Sequence, residues 1–249
     1  FHYLEWGEPD SPPMLLLHGY AQTCHSWDFV SLAMCDRFRV LSLDQRGHGD
    51  TDWAPDGDYS PEGYWTDLNT VAEALDLRDF VLMGLSMGGR NAISYAANHP
   101  GHVKALVVVD SAPIMEKAGS ERMQRFVQGD DELDSVDAFV KRVQEYNPLR
   151  PAEQIRSSIM HNLKQLRNGN WTWKADQRIG SHQTDPTPQQ IKVDAERKWG
   201  LLKKIHCPTL IIRGAESDVF AHDVAERMVL TMTNASLATV SKASHTVMG

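Results

Sequence analysis

Cysteine, positive charge and long apolar runs are all scarce in this chain. Its three cysteines, Cys24, Cys35 and Cys207, form no CxxC pair, so a disulfide framework is disfavoured and free thiols in a reducing, cytoplasmic compartment are expected. Lys and Arg number 25 against 33 Asp and Glu, which gives a net charge of -8 and disfavours a nucleic-acid partner. No apolar run reaches the length of a membrane span, so no membrane partner is expected.

Motifs for metals and nucleotide cofactors are also lacking. The sequence has no HExxH, no pair of CxxC motifs and no GxxxxGK[ST], which are the common patterns for zinc and nucleotide phosphates. Gly47-His48-Gly49 begins like a dinucleotide fingerprint, but no third glycine follows at the required spacing. His161 and His222 have no metal-ligand spacing. We therefore expect no metal and no cofactor.

Short apolar runs alternate with segments of helical periodicity, a pattern typical of an α/β protein with a mainly parallel sheet. Seven runs are predicted strands: 1–6, 14–17, 39–43, 80–85, 105–109, 209–212 and 237–240. Helices are predicted over 25–35, 61–75, 89–98, 136–146, 152–166 and 221–231. Polar residues follow the middle strands, and the carboxyl ends of parallel strands are where sites form in open sheets.

The block 114–200 interrupts this alternation. It has no convincing strand, and its helical segments are followed by Trp171-Thr172-Trp173 and by a polar loop at 180–188. We interpret the block as a mostly helical cap or lid inserted into a core made of 1–113 and 201–249. Trp171 and Trp173 are candidate pocket residues, although a packed helical subdomain without that role fits the same pattern.

A G-x-S-x-G motif, Gly84-Leu85-Ser86-Met87-Gly88, lies between the predicted strand 80–85 and the predicted helix 89–98. This strand-to-helix context is that of a nucleophile elbow. A tight, strained turn exposes the serine hydroxyl there, and small residues allow neighbouring backbone to approach closely. Ser86 is therefore the candidate nucleophile, with an ordinary serine in a glycine-rich turn as the alternative.

A serine hydroxyl is a poor nucleophile unless a base takes its proton and a third group orients that base. His245 follows the last predicted strand, and Asp218 follows the strand before it. The order Ser86, Asp218, His245 is the order associated with this elbow, and the motif around Asp218 also fits, so we favour Asp218 as the acid. Asp110, at the end of the strand 105–109, is the alternative acid. Glu216 is interpreted as a solvated loop carboxylate.

With these motifs the chain resembles the α/β-hydrolase fold superfamily, and within it the lidded serine ester hydrolases. The motifs that carry the resemblance are His18-Gly19-Tyr20, Asp44-Gln45-Arg46-Gly47-His48-Gly49, the elbow, Arg213-Gly214 with Asp218, and His245. The resemblance implies an eight-stranded core whose mainly parallel sheet is flanked by helices, with a helical cap inserted between strands six and seven.

The resemblance also implies a division of roles among the site residues. Ser86 would be the nucleophile, His245 the general base and then acid, and Asp218 the residue that orients His245. The backbone N–H groups of Tyr20 and Met87 would form the oxyanion hole.

The expected activity is hydrolysis of a small or medium, apolar carboxylic ester through an acyl-enzyme, by a monomer or homodimer. Carbon–carbon bond hydrolysis, lactone hydrolysis and cofactor-free peroxidase activity use a similar triad in resembling proteins and remain open, because a fold does not fix its chemistry. A ligand receptor with little turnover is a further alternative. Haloalkane dehalogenase activity is disfavoured, since this chain has Ser86 at the elbow position where the haloalkane dehalogenases that it resembles in fold have Asp.

Overall fold

The computed structural model describes residues 1–127, 129–179 and 187–247, so most of the polar loop expected at 180–188 lies outside the described residues. The strands are β1 (Tyr3–Trp6), β2 (Pro13–Leu17), β3 (Arg39–Leu43), β4 (Phe80–Leu85), β5 (Val103–Val109), β6 (Glu132–Leu133), β7 (Leu163–Gln165), β8 (Trp171–Trp173), β9 (Thr209–Gly214) and β10 (Ala235–Val240). The α-helices are α1 (Asp28–Met34), α2 (Pro61–Ala74), α3 (Met87–Asn98), α4 (Lys117–Val127), α5 (Val136–Tyr146), α6 (Ala152–Ile159), α7 (Pro188–Leu202) and α8 (His222–Thr231), and a short 3-10 helix, Cys24–Trp27, precedes α1.

The main sheet has the strand order β1-β3-β2-β4-β5-β9-β10. Only β1 runs antiparallel to its neighbour, and the other adjacent pairs are parallel. All seven predicted strands are present, and the prediction of an α/β fold with a mainly parallel sheet is confirmed. The described sheet has seven strands, whereas the resemblance implies eight.

The central strands are continuous apolar runs because both faces of the sheet are covered. Side chains alternate between the two faces of a strand, and β2 follows this rule. Leu15 and Leu17 pack into a cluster with α2, α3, α7 and α8, whereas Met14 and Leu16 pack on the other face beside Trp27. The two clusters hold β2 and β4 at the centre, so the polar residues at their carboxyl ends have rigid support.

The described part of the block between β5 and β9 contains three short strands where none was predicted. They form a separate antiparallel sheet in the order β6-β8-β7. The predicted helix 152–166 ends at Ile159, and the chain continues through a turn into β7. Asn168 and Gly169, with Gly169 at φ 90°, connect β7 to β8, and Asn-Gly is a strong hairpin signal that helical periodicity does not capture.

Helix α7 begins in the predicted cap and continues to Leu202, past the predicted domain boundary. Trp199 and Leu202 belong to the same buried cluster as the main sheet. A second buried cluster, which includes Phe139, Ile155 and Trp173, lies in the rest of the block. The end of α7 thus packs as part of the core, while α5, α6 and the small sheet surround a cluster of their own.

In the described part of the chain, no helix combines the length and the apolar character needed to cross a membrane.

Candidate active site

Ser86 lies on the tight turn between β4 and α3, and its backbone has φ 53°. The glycines on either side are required by close backbone contacts. A Cβ at Gly84 would lie 2.3 Å from the Gly88 carbonyl oxygen, and a Cβ at Gly88 would lie 2.2 Å from the Leu17 carbonyl oxygen. The G-x-S-x-G spacing therefore has the steric origin that the sequence predicts, and the strain is local to the serine.

His245 lies between Ser86 and a carboxylate. Its Nε2 is 2.9 Å from Ser86 Oγ, and its Nδ1 is 2.8 Å from Asp110 Oδ1. Asp110 is fully buried, and His245 is 5% exposed. With the proton on Nδ1, the imidazole donates to Asp110 and presents an unprotonated Nε2 to the hydroxyl. This arrangement can take a proton from Ser86.

The prediction that Asp218 partners His245 is wrong, and the alternative acid, Asp110, occupies that place. The Asp218 carboxylate instead accepts a hydrogen bond from Arg122 Nη2 of α4 at 2.5 Å. Chain order could not separate the two acids, because both lie between Ser86 and His245 in the sequence. The adjacency of β5 and β9 decides, since it places Asp110 beside Gly214, against which the histidine loop packs.

Three donors from distant segments hold the Asp110 carboxylate. Besides His245, Gly214 N–H donates to Oδ2 at 2.8 Å, and Ser217 Oγ–H donates to Oδ1 at 2.6 Å. A Cβ at Gly214 would lie 2.2 Å from the Ser244 carbonyl oxygen, so glycine is needed where the histidine loop crosses β9. The Arg213-Gly214 motif therefore belongs to the site, but Ser217 was missed because a lone loop serine carries no local signal.

Two unused backbone donors lie near Ser86. A Cβ at Gly19 would be 3.6 Å from Ser86 Cβ, which puts the turn after β2 against the serine. The N–H of Gly19 donates to Gln22 Oε1 at 2.9 Å. Among the described residues, the N–H groups of Tyr20 and Met87 have no acceptor. Met87 is the first residue of α3, where unpaired N–H groups and the helix dipole favour negative charge.

The chain matches the family model described as "alpha/beta hydrolase fold" over residues 12–248. It belongs to the alpha/beta hydrolase fold family. The esterase Rv0045c of Mycobacterium tuberculosis is 30% identical over 258 residues, which cover 98% of this chain and 80% of that protein. The 3-hydroxybutyrate-oligomer hydrolase of Cupriavidus necator is 26% identical over 255 residues, which cover 98% of this chain and 86% of that protein. A solved hydrolase from Rickettsia typhi shares the fold, with a TM-score of 0.85 at 20% identity over 99% of this chain and 86% of that one.

In this alpha/beta hydrolase, the rings of His18 and His48 make hydrogen bonds with the backbone. His18 Nδ1 is 2.8 Å from the Gly19 carbonyl oxygen, and its Nε2 accepts from the backbone N–H of Gln45 at 3.0 Å. Burial lowers the pKa of both histidines, and that of His48 falls to about 3. Both rings are therefore neutral at physiological pH and shape the turns beside Ser86.

Ser86 and His245 open onto a cavity whose far walls come from the block between β5 and β9. The apolar side chains contributed by that block are Met123, Phe126, Val143, Ile155, Ile159 and Trp173. Of the two tryptophans predicted to line a pocket, Trp173 does so. Trp171 does not line this cavity and packs against the second buried cluster.

Two clusters of described residues have the ligand types that bind metal ions: His2, Cys24 and Asp44, and His25, Asp28 and His161. In the first, His2 Nδ1 lies 2.7 Å from Asp44 Oδ2, and burial raises the pKa of the Cys24 thiol. In the second, the His25 and His161 rings stack with centroids 3.9 Å apart. Sequence spacing missed this pairing because His161 comes from a distant loop.

Proposed function

We propose that this protein is a serine hydrolase that cleaves carboxylic esters through an acyl-enzyme intermediate. The observation that carries the proposal is the hydrogen-bonded series Ser86 Oγ, His245 Nε2, His245 Nδ1, Asp110 Oδ1, with distances of 2.9 and 2.8 Å. Its position at the end of β4, on a strained turn, supports a nucleophile held open to substrate. The esterase among its relatives supports the choice of ester bonds.

In the first step of the proposed reaction, Ser86 Oγ attacks the ester carbonyl carbon while His245 Nε2 takes the hydroxyl proton. The buried Asp110 carboxylate holds the imidazole by its Nδ1–H and stabilises the imidazolium that forms. Negative charge develops on the carbonyl oxygen, and the unused N–H groups of Tyr20 and Met87 are suited to receive it. Loss of one such donor costs about 2.7–4 kcal/mol of barrier in serine hydrolases.

The tetrahedral intermediate collapses when His245 returns the proton to the alcohol oxygen, which leaves as the free alcohol. A water molecule then takes the place of the alcohol. His245 removes a proton from it as it attacks the acyl carbon, and Ser86 regains its proton as the acid departs.

In this proposal the block 114–200, apart from the end of α7, acts as the cap. It supplies the apolar walls opposite Ser86, which suits a small or medium acyl or alcohol group. The ion pair between Arg122 on α4 and Asp218 on the core, at 2.5 Å, links the cap to the catalytic loop region. Asp218 therefore has a positioning role between cap and core.

Hydrolysis of 4-nitrophenyl esters by the wild type and by Ser86→Ala tests the proposal. We expect release of 4-nitrophenol by the wild type and a loss of about 10⁴-fold or more in kcat for the variant, since removal of a triad member typically leaves only residual catalysis. Equal rates would contradict it. Lactones and vinylogous diketones in the same panel distinguish ester cleavage from the other reactions open to this triad.

A further inference from the structure

The charge of the candidate active-site cavity differs from that of the chain as a whole. The protein carries a net charge of -8, yet no Asp or Glu is among the described residues that line this cavity. Apart from the titratable His245, the only charged side chain in that lining is Arg150, which lies four residues beyond the end of α5. The lining thus combines apolar and neutral polar side chains with a single permanent cation.

Arg150 lacks the carboxylate partner that two other partly buried arginines of this chain have. Arg46 donates to Asp67 at 2.6 Å, and Arg122 donates to Asp218 at 2.5 Å. In contrast, within the part of the chain that the structure describes, the Arg150 side chain makes one hydrogen bond, from Nη2 to the Gln154 carbonyl oxygen at 3.4 Å. Its Nε is buried without a partner, and no carboxylate of the described residues pairs with it.

A guanidinium that is partly withdrawn from water gains from an anionic partner. Burial lowers the pKa of Arg150, with no nearby carboxylate to oppose the shift, but arginine remains protonated in proteins. A charge partly withdrawn from water and without a partner is less favourable than a solvated or paired one. Tyr146, the last residue of α5, lines the same cavity, and its hydroxyl is also buried without a partner.

These two side chains leave donors without acceptors at the wall of the cavity. A carboxylate is an acceptor only, with two oxygens that match the fork of a guanidinium. A neutral ester would leave the charge of Arg150 unpaired after water has been displaced from the pocket, whereas an anionic group would neutralise it.

We propose that Arg150, assisted by Tyr146, forms a carboxylate-binding subsite, and that the substrate is an ester with an apolar chain ending in a carboxylate. This inference rests on the proposed ester hydrolysis at Ser86. It replaces the wholly apolar ester expected from the sequence with a bifunctional one, such as a half-ester of a dicarboxylic acid.

A matched pair of substrates tests the inference: 4-nitrophenyl hydrogen adipate, which ends in a carboxylate, and 4-nitrophenyl hexanoate, which has the same chain length and ends in a methyl group. For the wild type we expect kcat/KM to be higher for the adipate. In Arg150→Met we expect kcat/KM for the adipate to fall by roughly 10- to 100-fold, the range typical of a charge-assisted hydrogen bond, with less than a threefold change for the hexanoate. Arg150→Lys should recover part of the loss, and Tyr146→Phe should show a smaller loss for the adipate alone.

Arg156→Met is the matched control, since it removes the same charge from α6 at a residue that pairs with Asp137 on the surface. It should leave the ratio of the two kcat/KM values unchanged. Free adipate, added as an inhibitor of 4-nitrophenyl hexanoate hydrolysis, should inhibit the wild type more strongly than Arg150→Met.

Equal losses for both substrates in Arg150→Met would indicate a structural role and overturn the inference, as would unchanged values for both. If the hexanoate is hydrolysed in a Ser86-dependent way but kcat/KM is no higher for the adipate ester, the subsite is overturned. The proposed function is left intact by that result. Hydrolysis of neither substrate would count against the proposed function itself.

Discussion

Replacing Asp110 by asparagine should lower kcat by several orders of magnitude more than the same replacement at Asp218. Asp110 is fully buried and accepts hydrogen bonds from His245, Ser217 and Gly214 at 2.8, 2.6 and 2.8 Å. In Asp110→Asn the neutral amide no longer stabilises the imidazolium, and the Nδ1–H tautomer of His245 is no longer enforced. An equivalent change in a serine protease lowers kcat by about 10⁴-fold, and we expect a similar loss here.

Asp218→Asn should have a much smaller effect. The Asp218 and Arg122 side chains are 32% and 28% exposed, and partly solvated pairs contribute about 0–1 kcal/mol. Less than a fivefold change in kcat is therefore expected. The assay is steady-state hydrolysis of a 4-nitrophenyl ester, with circular dichroism to verify that both variants are folded. Loss of activity in Asp218→Asn with retention in Asp110→Asn would refute the reasoning.

Three further predictions concern the supports of the site. Gly88→Ala should fail to fold or lose most of its stability, because its Cβ would lie 2.2 Å from the Leu17 carbonyl oxygen. Thermal unfolding measures the loss. The exposed Gly101→Ala is the milder control, since its Cβ meets no atom within 4 Å and only its φ of 93° adds strain. Ser217→Ala should lower kcat by about 10-fold through the loss of one hydrogen bond of 0.5–1.5 kcal/mol or more to Asp110, with KM unchanged. Burial depresses the pKa of His48 to about 3, so the neutral ring stabilises the folded protein above about pH 6.5. This stabilisation is lost as the pH falls from about 6.5 towards 3. The free energy of unfolding then declines by at most about 1.4 kcal/mol per pH unit. Denaturant unfolding at pH 7 and pH 5 should show the decline, and His48→Gln should reduce its slope.

The parts of the fold predicted from the sequence are those with a local signal. The seven sheet strands are short apolar runs, and the elbow glycines are fixed by contacts that any such turn requires. The capping box of Thr187 and Gln190 at the start of α7 was also a local signal, but it was missed because no strong apolar period follows it. The Asn168-Gly169 turn between β7 and β8 was another local signal that was missed, because the segment was assigned from its helical periodicity.

The choice of acid depended on an arrangement that the linear sequence does not contain. Asp110 and Asp218 both follow strands, and both satisfy the chain order. Only the hydrogen bonding of β5 to β9 brings Asp110 into line with His245, and only the approach of α4 gives Asp218 a partner in Arg122. Pairing of strands distant in sequence is set by the whole sheet.

Pocket residues were the hardest to predict, because lining a cavity depends on how the block 114–200 folds back over β2 and β4. Trp171 and Trp173 have the same sequence signal, yet only Trp173 lines the cavity. Arg150 had no sequence signal at all, since an arginine in a loop is normally solvated. Its lack of a partner becomes visible only when the surrounding side chains are in place.

The most direct test of the proposed nucleophile is the site of covalent modification by a fluorophosphonate, mapped by peptide mass spectrometry at pH 8. The account predicts a single adduct on Ser86 in the wild type and none in Ser86→Ala. Labelling of His245→Ala should be slower by orders of magnitude, because the base that activates Ser86 is absent. An adduct on any residue other than Ser86, or no adduct on the folded wild type, would contradict the account.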